Sequence, residues 1–287
     1  MAARQRALIP HVRNVPSFRS AAESYLEHGG EDRYLKPIVE YFADRPIAEI
    51  VPWDIKNMAF ALYPDALNST RNRQALTPAR AVMIHGYERG WCPLLRLTRF
   101  KEDLPKRKAP ASPVWLQLFV RQCDKDGLPH VAALVLFMAF TGARISEAIR
   151  LEWPQVDLAG RRVMLLRTKT IKNSPRSLTD ELVRRLSALA AGAAPDSRVF
   201  RYTSRYSVSE RLRAVCGRAG IPYKSPHACG RHSFATNALA MGSDIRTAMD
   251  AGGWKSSVVF LETYVHTPNA GRLVADRFNA IDFDPDL

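Results

Sequence analysis

The chain has 287 residues, 46% hydrophobic and 24% charged, with 42 Lys and Arg against 28 Asp and Glu for a formal charge of +14. That length suits two domains rather than one core, and the composition excludes a disordered or fibrous chain. The basic surplus favours a polyanionic partner, with nucleic acid ahead of a ribosome or a membrane surface.

No apolar run reaches the roughly 18 residues of a membrane span, and the opening MAARQRALIPHVRN lacks the apolar centre of a signal peptide. A cytoplasmic protein with no membrane partner is therefore expected. Cys92, Cys123, Cys216 and Cys229 show no C-x-x-C spacing, so neither a zinc site nor a disulfide framework is expected. They should be reduced and buried, and no metal or cofactor is anticipated.

Residues 1–16 read as a tail. From 17 to 98 the pattern is helical: Tyr34, Leu35, Ile38, Val39 and Phe42 form one apolar series, Trp53, Ile55, Met58 and Leu62 a second, and Ala81, Val82, Ile84 and His85 a third. Arg71, Arg73 and Arg80 lie among small polar residues on a face suited to phosphates. The stretch 99–111 is basic and proline-bearing, a linker whose Lys106, Arg107 and Lys108 are placed to cross a DNA backbone.

From 112 to 287 the pattern is mixed. VAALVLFMAF predicts a buried helix, interrupted at Thr141-Gly142 before ARISEAIRL begins another. RRVMLLRTKT and KNSPRSLT predict two strands around a turn at Asn173 to Pro175. TDELVRRLSALAA predicts a helix with acids in its first turn, and Ser207 to Glu210 a capping box for a helix ending at Gly220. Helices follow over HSFATNALAMG, SDIRTAMDAGG and SSVVFLETYVH. A last one starts at Thr267-Pro268, with Leu273, Val274, Phe278 and Ile281 at helical spacing. The expected fold is mainly α with a small β-sheet.

Polar residues interrupt this apolar domain at particular places. Arg144 and Glu147 are three apart at a helix start and share a face, Lys169 ends a strand, His227 and Arg231 open another helix, and Trp254 and Tyr264 come late. TGARISEAIRLEW resembles the first arginine box of the tyrosine recombinases, the phage integrase family. RTKT resembles their strand-borne lysine, PHACGRHSFAT their histidine and second-arginine box, and GGWKSSVVFLETYVHT their nucleophile segment. Four boxes in the right order over residues 17–270 make the resemblance specific. Two spacings depart from the family pattern by one residue each: three residues rather than two separate His227 from Arg231, and Trp254 stands ten rather than nine before Tyr264.

The resemblance implies a helical core-binding domain over 17–98 and a mixed α/β catalytic domain over 112–287, closing on DNA as a C-shaped clamp. It also implies a homotetramer on double-stranded DNA at core attachment sites, with a C-terminal exchange helix at about 268–287. DNA-bending or directionality factors are candidate accessory partners. The implied activity is metal-free cleavage and rejoining through a 3′-phosphotyrosyl intermediate. Guanidinium is planar, permanently charged and bidentate toward phosphate, so Arg144 and Arg231 would clamp the phosphoryl oxygens. Tyr264 would attack, His227 would take and return its proton, Lys169 would protonate the leaving 5′ oxygen, and Trp254 would donate an indole N–H. Glu147 would hold Arg144, and His232 would support the site. Lys172 competes with Lys169 and is otherwise a loop charge near DNA. A type IB topoisomerase would use the same boxes, and a non-catalytic helix-turn-helix regulator is the rival from a different class.

Overall fold

A computed structural model describes residues 15–102, 109–166, 173–264, 270–279 and 281. The chain divides into two compact units, residues 1–106 and 107–287. Among the described residues no helix is long and apolar enough to cross a membrane.

The first unit is helical: α1 Phe18–Glu27, α2 Leu35–Phe42, α3 Pro52–Leu62, α4 Asn68–Arg71, and, after a π-helical segment Asn72–Leu76, α5 Thr77–Glu88. Ser17 caps α1 by accepting from the backbone N–H of Ser20. Phe18, Ile38, Ile47, Ile55, Met58, Val82 and Met83 fill one core. Two apolar series differ from expectation. Trp53 points outward and is 68% exposed, because α3 buries Ile55, Met58 and Ala59 instead. On α5 the inward stripe is Ala79, Val82, Met83 and Gly86, while Ile84 faces solvent; small residues complete the i, i+3, i+4, i+7 face and the larger Ile84 falls off it.

Arg71 corrects a phosphate-contact expectation. It is buried, its Nε donates to the carbonyl of Tyr63, Nη1 to Asn68 Oδ1 and Nη2 to the carbonyl of Pro64, and the guanidinium lies 4.6 Å over the Phe60 ring. Its donors close the α3–α4 connection rather than facing a ligand. Arg73 and Arg80 are exposed. Residues 99–102, expected in the linker, belong to this unit: Phe100 packs against Phe60, and Asn72 binds the Phe100 carbonyl and Glu102. Ala109 and Ala111 are held by Lys224 and Ser233 of the second unit. Lys106, Arg107 and Lys108 lie outside the described residues, as do residues 1–14 of the expected tail.

In the second unit α6 Pro113–Lys125 and α7 Pro129–Thr141 precede the four-residue α8 Ile145–Ala148. Helix α7 is apolar on every side, which only a central position satisfies; ten of its thirteen residues are buried. Strands β1 Val156–Asp157, β2 Arg162–Leu165 and β3 Ser174–Ser177 form an antiparallel sheet in that order. No turn forms at Ser174 and Pro175, where one was expected, since both lie inside β3 opposite Leu165 and Met164. Proline is tolerated there because β3 is an edge strand.

Helices α9 Asp180–Ala190, α10 Arg205–Ala219, α11 Ser233–Ala240, α12 Ile245–Gly252, α13 Ser257–Tyr264 and α14 Ala270–Phe278 complete the unit. The expected Ser207–Glu210 box is not the cap of α10: Ser204 accepts from the N–H of Tyr206, so the helix begins before Ser207. The expected start at Thr267-Pro268 lies outside the described residues. All four cysteines are free and buried, and burial pushes the thiols of Cys123 and Cys229 up to about 12.

Candidate active site

The site is assembled where three helix ends meet. Helix α7 stops at Gly142, whose φ of +67° gives a left-handed cap. A Cβ there would stand 3.1 Å from the Cα of Gly252, so the end of α7 and the end of α12 are in direct contact. The chain then turns into α8 with Arg144 as its N-cap residue. Glu147 is buried and accepts from Arg144 twice, from Nη1 at 2.7 Å and from the backbone N–H at 2.8 Å. The carboxylate thereby caps the helix and aims the guanidinium.

Arg231 comes from a π-helical segment, Ala228–His232, that leads into α11. A π turn carries one residue more than an α turn, and the extra residue between His227 and Arg231 falls inside it. Arg231 is 3% exposed. Its Nη1 donates at 2.6 Å to the carbonyl of Gly142, the cap residue of α7, and at 2.7 Å to that of Gly252, the last residue of α12, near the C-terminal helix ends that favour a cation. The guanidinium also lies 3.5 Å over the Trp254 ring. Burial first, and then the charge of Arg144, push Arg231 down to about 10, while Tyr264 and Glu147 act in the opposite direction.

Arg144, Arg231 and Trp254 line one cleft of about 390 Å³ with Ser174, Lys255 and Ser256. A third guanidinium, Arg176 of β3, lines it too. Sequence reasoning passed over Arg176. Its signal was strand alternation: two positions before the buried Leu178, it occupies the inward phase. Lys255 was likewise missed. Three guanidinium groups and Lys255 stand against two carboxylates, Asp250 on the cleft wall, which pairs with Arg246, and the neighbouring Glu147, so the cleft carries surplus positive charge suited to an oxyanion.

Tyr264 closes α13 and is 6% exposed. Its hydroxyl stands 3.4 Å from His227 Nε2, and its ring contacts Trp254, His232 and Phe260 at centroid distances of 5.2, 5.3 and 5.9 Å. Trp254 is buried and stacks on Phe234; His232 is buried against the tyrosine ring, while His227 is exposed. Trp254, Lys255 and Ser256 are non-helical and lead into α13, which accommodates the longer Trp254–Tyr264 spacing. Thus Arg144, Glu147, His227, Arg231, His232, Trp254 and Tyr264 come together, whereas Lys169 and Lys172 lie outside the described residues.

Comparison with known proteins bears on this arrangement. The tyrosine recombinase XerD of Mycobacterium tuberculosis (strain H37Rv) is 36% identical over 138 residues, 43% of this chain and 44% of the relative. XerD of Bifidobacterium longum is 33% identical over 152 residues, 47% and 48% of the two chains. The chain therefore spans less than half the length of these curated relatives. Among solved structures, the Tn1549 transposon integrase in complex with circular intermediate DNA superposes with a TM-score of 0.69 at 17% identity, over 91% of this chain and 99% of that one. A lambda integrase dimer bound to a core site gives 0.64 at 13% identity, over 86% and 76%. These two likenesses are of fold. The model of the phage integrase family matches residues 116–270, more than half of the sequence and every described member of the cleft, and to that family the chain belongs.

Proposed function

We propose that this protein is a site-specific DNA recombinase that cuts and rejoins strands through Tyr264. The observation that carries the reading is the convergence of Arg144 and Arg231, 87 positions apart in sequence, on one cleft beside a phenol paired with an imidazole. The two guanidinium groups hold the non-bridging oxygens of a DNA phosphate. The Tyr264 oxygen attacks phosphorus as His227 takes its proton, the bond to the 5′ oxygen breaks, and that oxygen receives a proton from Lys169. The products are a 3′-phosphotyrosine and a 5′-hydroxyl, and attack by a 5′-hydroxyl from a second duplex reverses the step. Bond energy is conserved in the ester, so rejoining requires no nucleotide cofactor.

Arg73, Arg80 and Lys172 contribute phosphate contacts in this reading, as do Lys106, Arg107 and Lys108. The first unit binds DNA and the second performs the chemistry. Substrate duplexes are held by a homotetramer in this reading. An apolar groove of about 530 Å³, lined by Leu116, Val120, Leu136, Phe140, Phe234 and Met241, takes the tail of a neighbouring copy, whose Val274, Phe278 and Ile281 are exposed. Removal of residues 270–287 then abolishes synapsis and leaves single-site binding intact.

The test is a nicked suicide duplex carrying candidate attachment DNA, incubated with chelator and resolved on a denaturing gel beside Tyr264→Phe. A covalent adduct in the wild type alone supports the reading. Binding without an adduct favours a regulator, and relaxation of supercoils without joining of two sites favours a topoisomerase.

A further inference from the structure

The third guanidinium of the cleft has no role in the chemistry above. Arg176 is 4% exposed on β3, opposite Val163. Its Nη1 donates to Ser174 Oγ at 2.6 Å and to the Pro175 carbonyl at 2.7 Å, and its Nη2 donates to the Gly252 carbonyl at 3.1 Å. Those bonds use both Nη1 protons and one Nη2 proton, leaving Nε–H and the second Nη2 proton for another acceptor. Nε is buried with no partner among the described residues. The carboxylate that acts on Arg176, Glu147, is already bonded through both oxygens to Arg144.

The surroundings are built around this side chain. Gly253 adopts a φ of +66°, and a Cβ there would stand 2.4 Å from Arg176 Nη2, so a glycine makes the room. The Gly252 carbonyl accepts from both Arg176 and Arg231, which fixes the two guanidinium groups relative to each other. A buried donor lacking an acceptor, in a cleft of surplus positive charge, is the complement of an oxyanion.

We propose that Arg176 is a third phosphate-binding arginine, donating from Nε and Nη2 to an oxygen of the same DNA phosphate that Arg144 and Arg231 hold. This rests on the reading of the cleft as a phosphate site.

Inorganic phosphate is titrated into the full chain at low ionic strength, with binding followed by calorimetry, for the wild type and for Arg176→Gln, Arg176→Lys and Arg144→Gln. The expected result is binding by the wild type, weakened about tenfold or more in Arg176→Gln and less in Arg176→Lys, which keeps the charge but not the fork. Weakening in Arg144→Gln with unchanged binding in Arg176→Gln overturns the proposal and leaves the phosphate site standing. Absence of binding by the wild type overturns both. Because Arg176→Gln also removes the bonds to Ser174 and Gly252, and could act indirectly or prevent folding, wild-type crystals soaked with tungstate supply a second measurement. Oxyanion density within hydrogen-bond reach of Arg176 Nε supports the proposal; density held by Arg144 and Arg231 with Nε unengaged overturns it.

Discussion

Replacing Glu147 with Gln tests whether one carboxylate organises the cationic cleft. The carboxylate makes two charge-assisted bonds to Arg144, at 2.7 and 2.8 Å, from a side chain only 6% exposed. A carboxamide keeps one acceptor oxygen and turns an NH₂ toward the other donor, so one bond worth about 1.5–3 kcal/mol is lost and a donor faces a donor. Arg144 is one-third exposed, and water recovers part of the solvation of its charge. The net loss is about 2–3 kcal/mol. For a unit the size of residues 107–287, roughly 2–4 °C accompany each kcal/mol, which gives a fall of about 4–12 °C in melting temperature. Thermal unfolding followed by near-ultraviolet circular dichroism reads this directly. A Glu147→Gln protein melting within about 1 °C of the wild type would refute the claim that this carboxylate holds Arg144 and caps α8.

Tyr264→Phe should abolish the covalent DNA adduct while changing stability by less than about 1 kcal/mol, because the ring contacts with Trp254, His232 and Phe260 persist and, among the described residues, the hydroxyl gives up only its 3.4 Å approach to an exposed His227; a denaturing gel and a melt check both halves. Gly253→Ala forces a left-handed backbone on an L-residue, at about 1–2 kcal/mol, and drives Cβ into Arg176, so melting temperature and phosphate affinity should fall together. Acid should weaken the fold through one buried and one half-buried imidazole: burial, then the charges of Arg89 and His28, hold His85 below its ordinary 6.5, and partial burial, then Arg201 and Arg211, do the same to His130. Between those lowered values and 6.5 the unfolded chain binds more protons than the fold does, so stability present above pH 6.5 is lost as pH falls. Urea unfolding at pH 7.5 and 5.5 should give the smaller free energy at 5.5, and equal values would contradict this.

Much of the second unit was legible because its signals are local. An apolar run such as VAALVLFMAF has no exposed face to offer and has to be central, and Arg144 with Glu147 declare their pairing by spacing alone. What escaped was set by tertiary contact. Arg71 looks like a surface cation in a polar stretch, and only the fold supplies the carbonyls of Tyr63 and Pro64 that absorb it. Arg176 sits on a four-residue edge strand next to a proline, too short for alternation to stand out. The longer spacing from His227 to Arg231 looked irregular in one dimension. A widened hydrogen-bond ladder, which no side chain announces, resolves it in three. Ser204 rather than Ser207 caps α10, its hydroxyl accepting from the Tyr206 N–H while Ser207 lies inside the first turn.

The way Arg231 is anchored has a consequence for affinity. Its partners are amide oxygens at helix termini, uncharged groups that hold the cation in place without cancelling it. A carboxylate in their position would have to be outcompeted by an incoming anion, whereas neutral carbonyls leave the charge of the buried Arg231 without a bonded counter-ion to displace. Tightness at this centre is thereby governed by the shape of two chain reversals at glycine rather than by rivalry between acids.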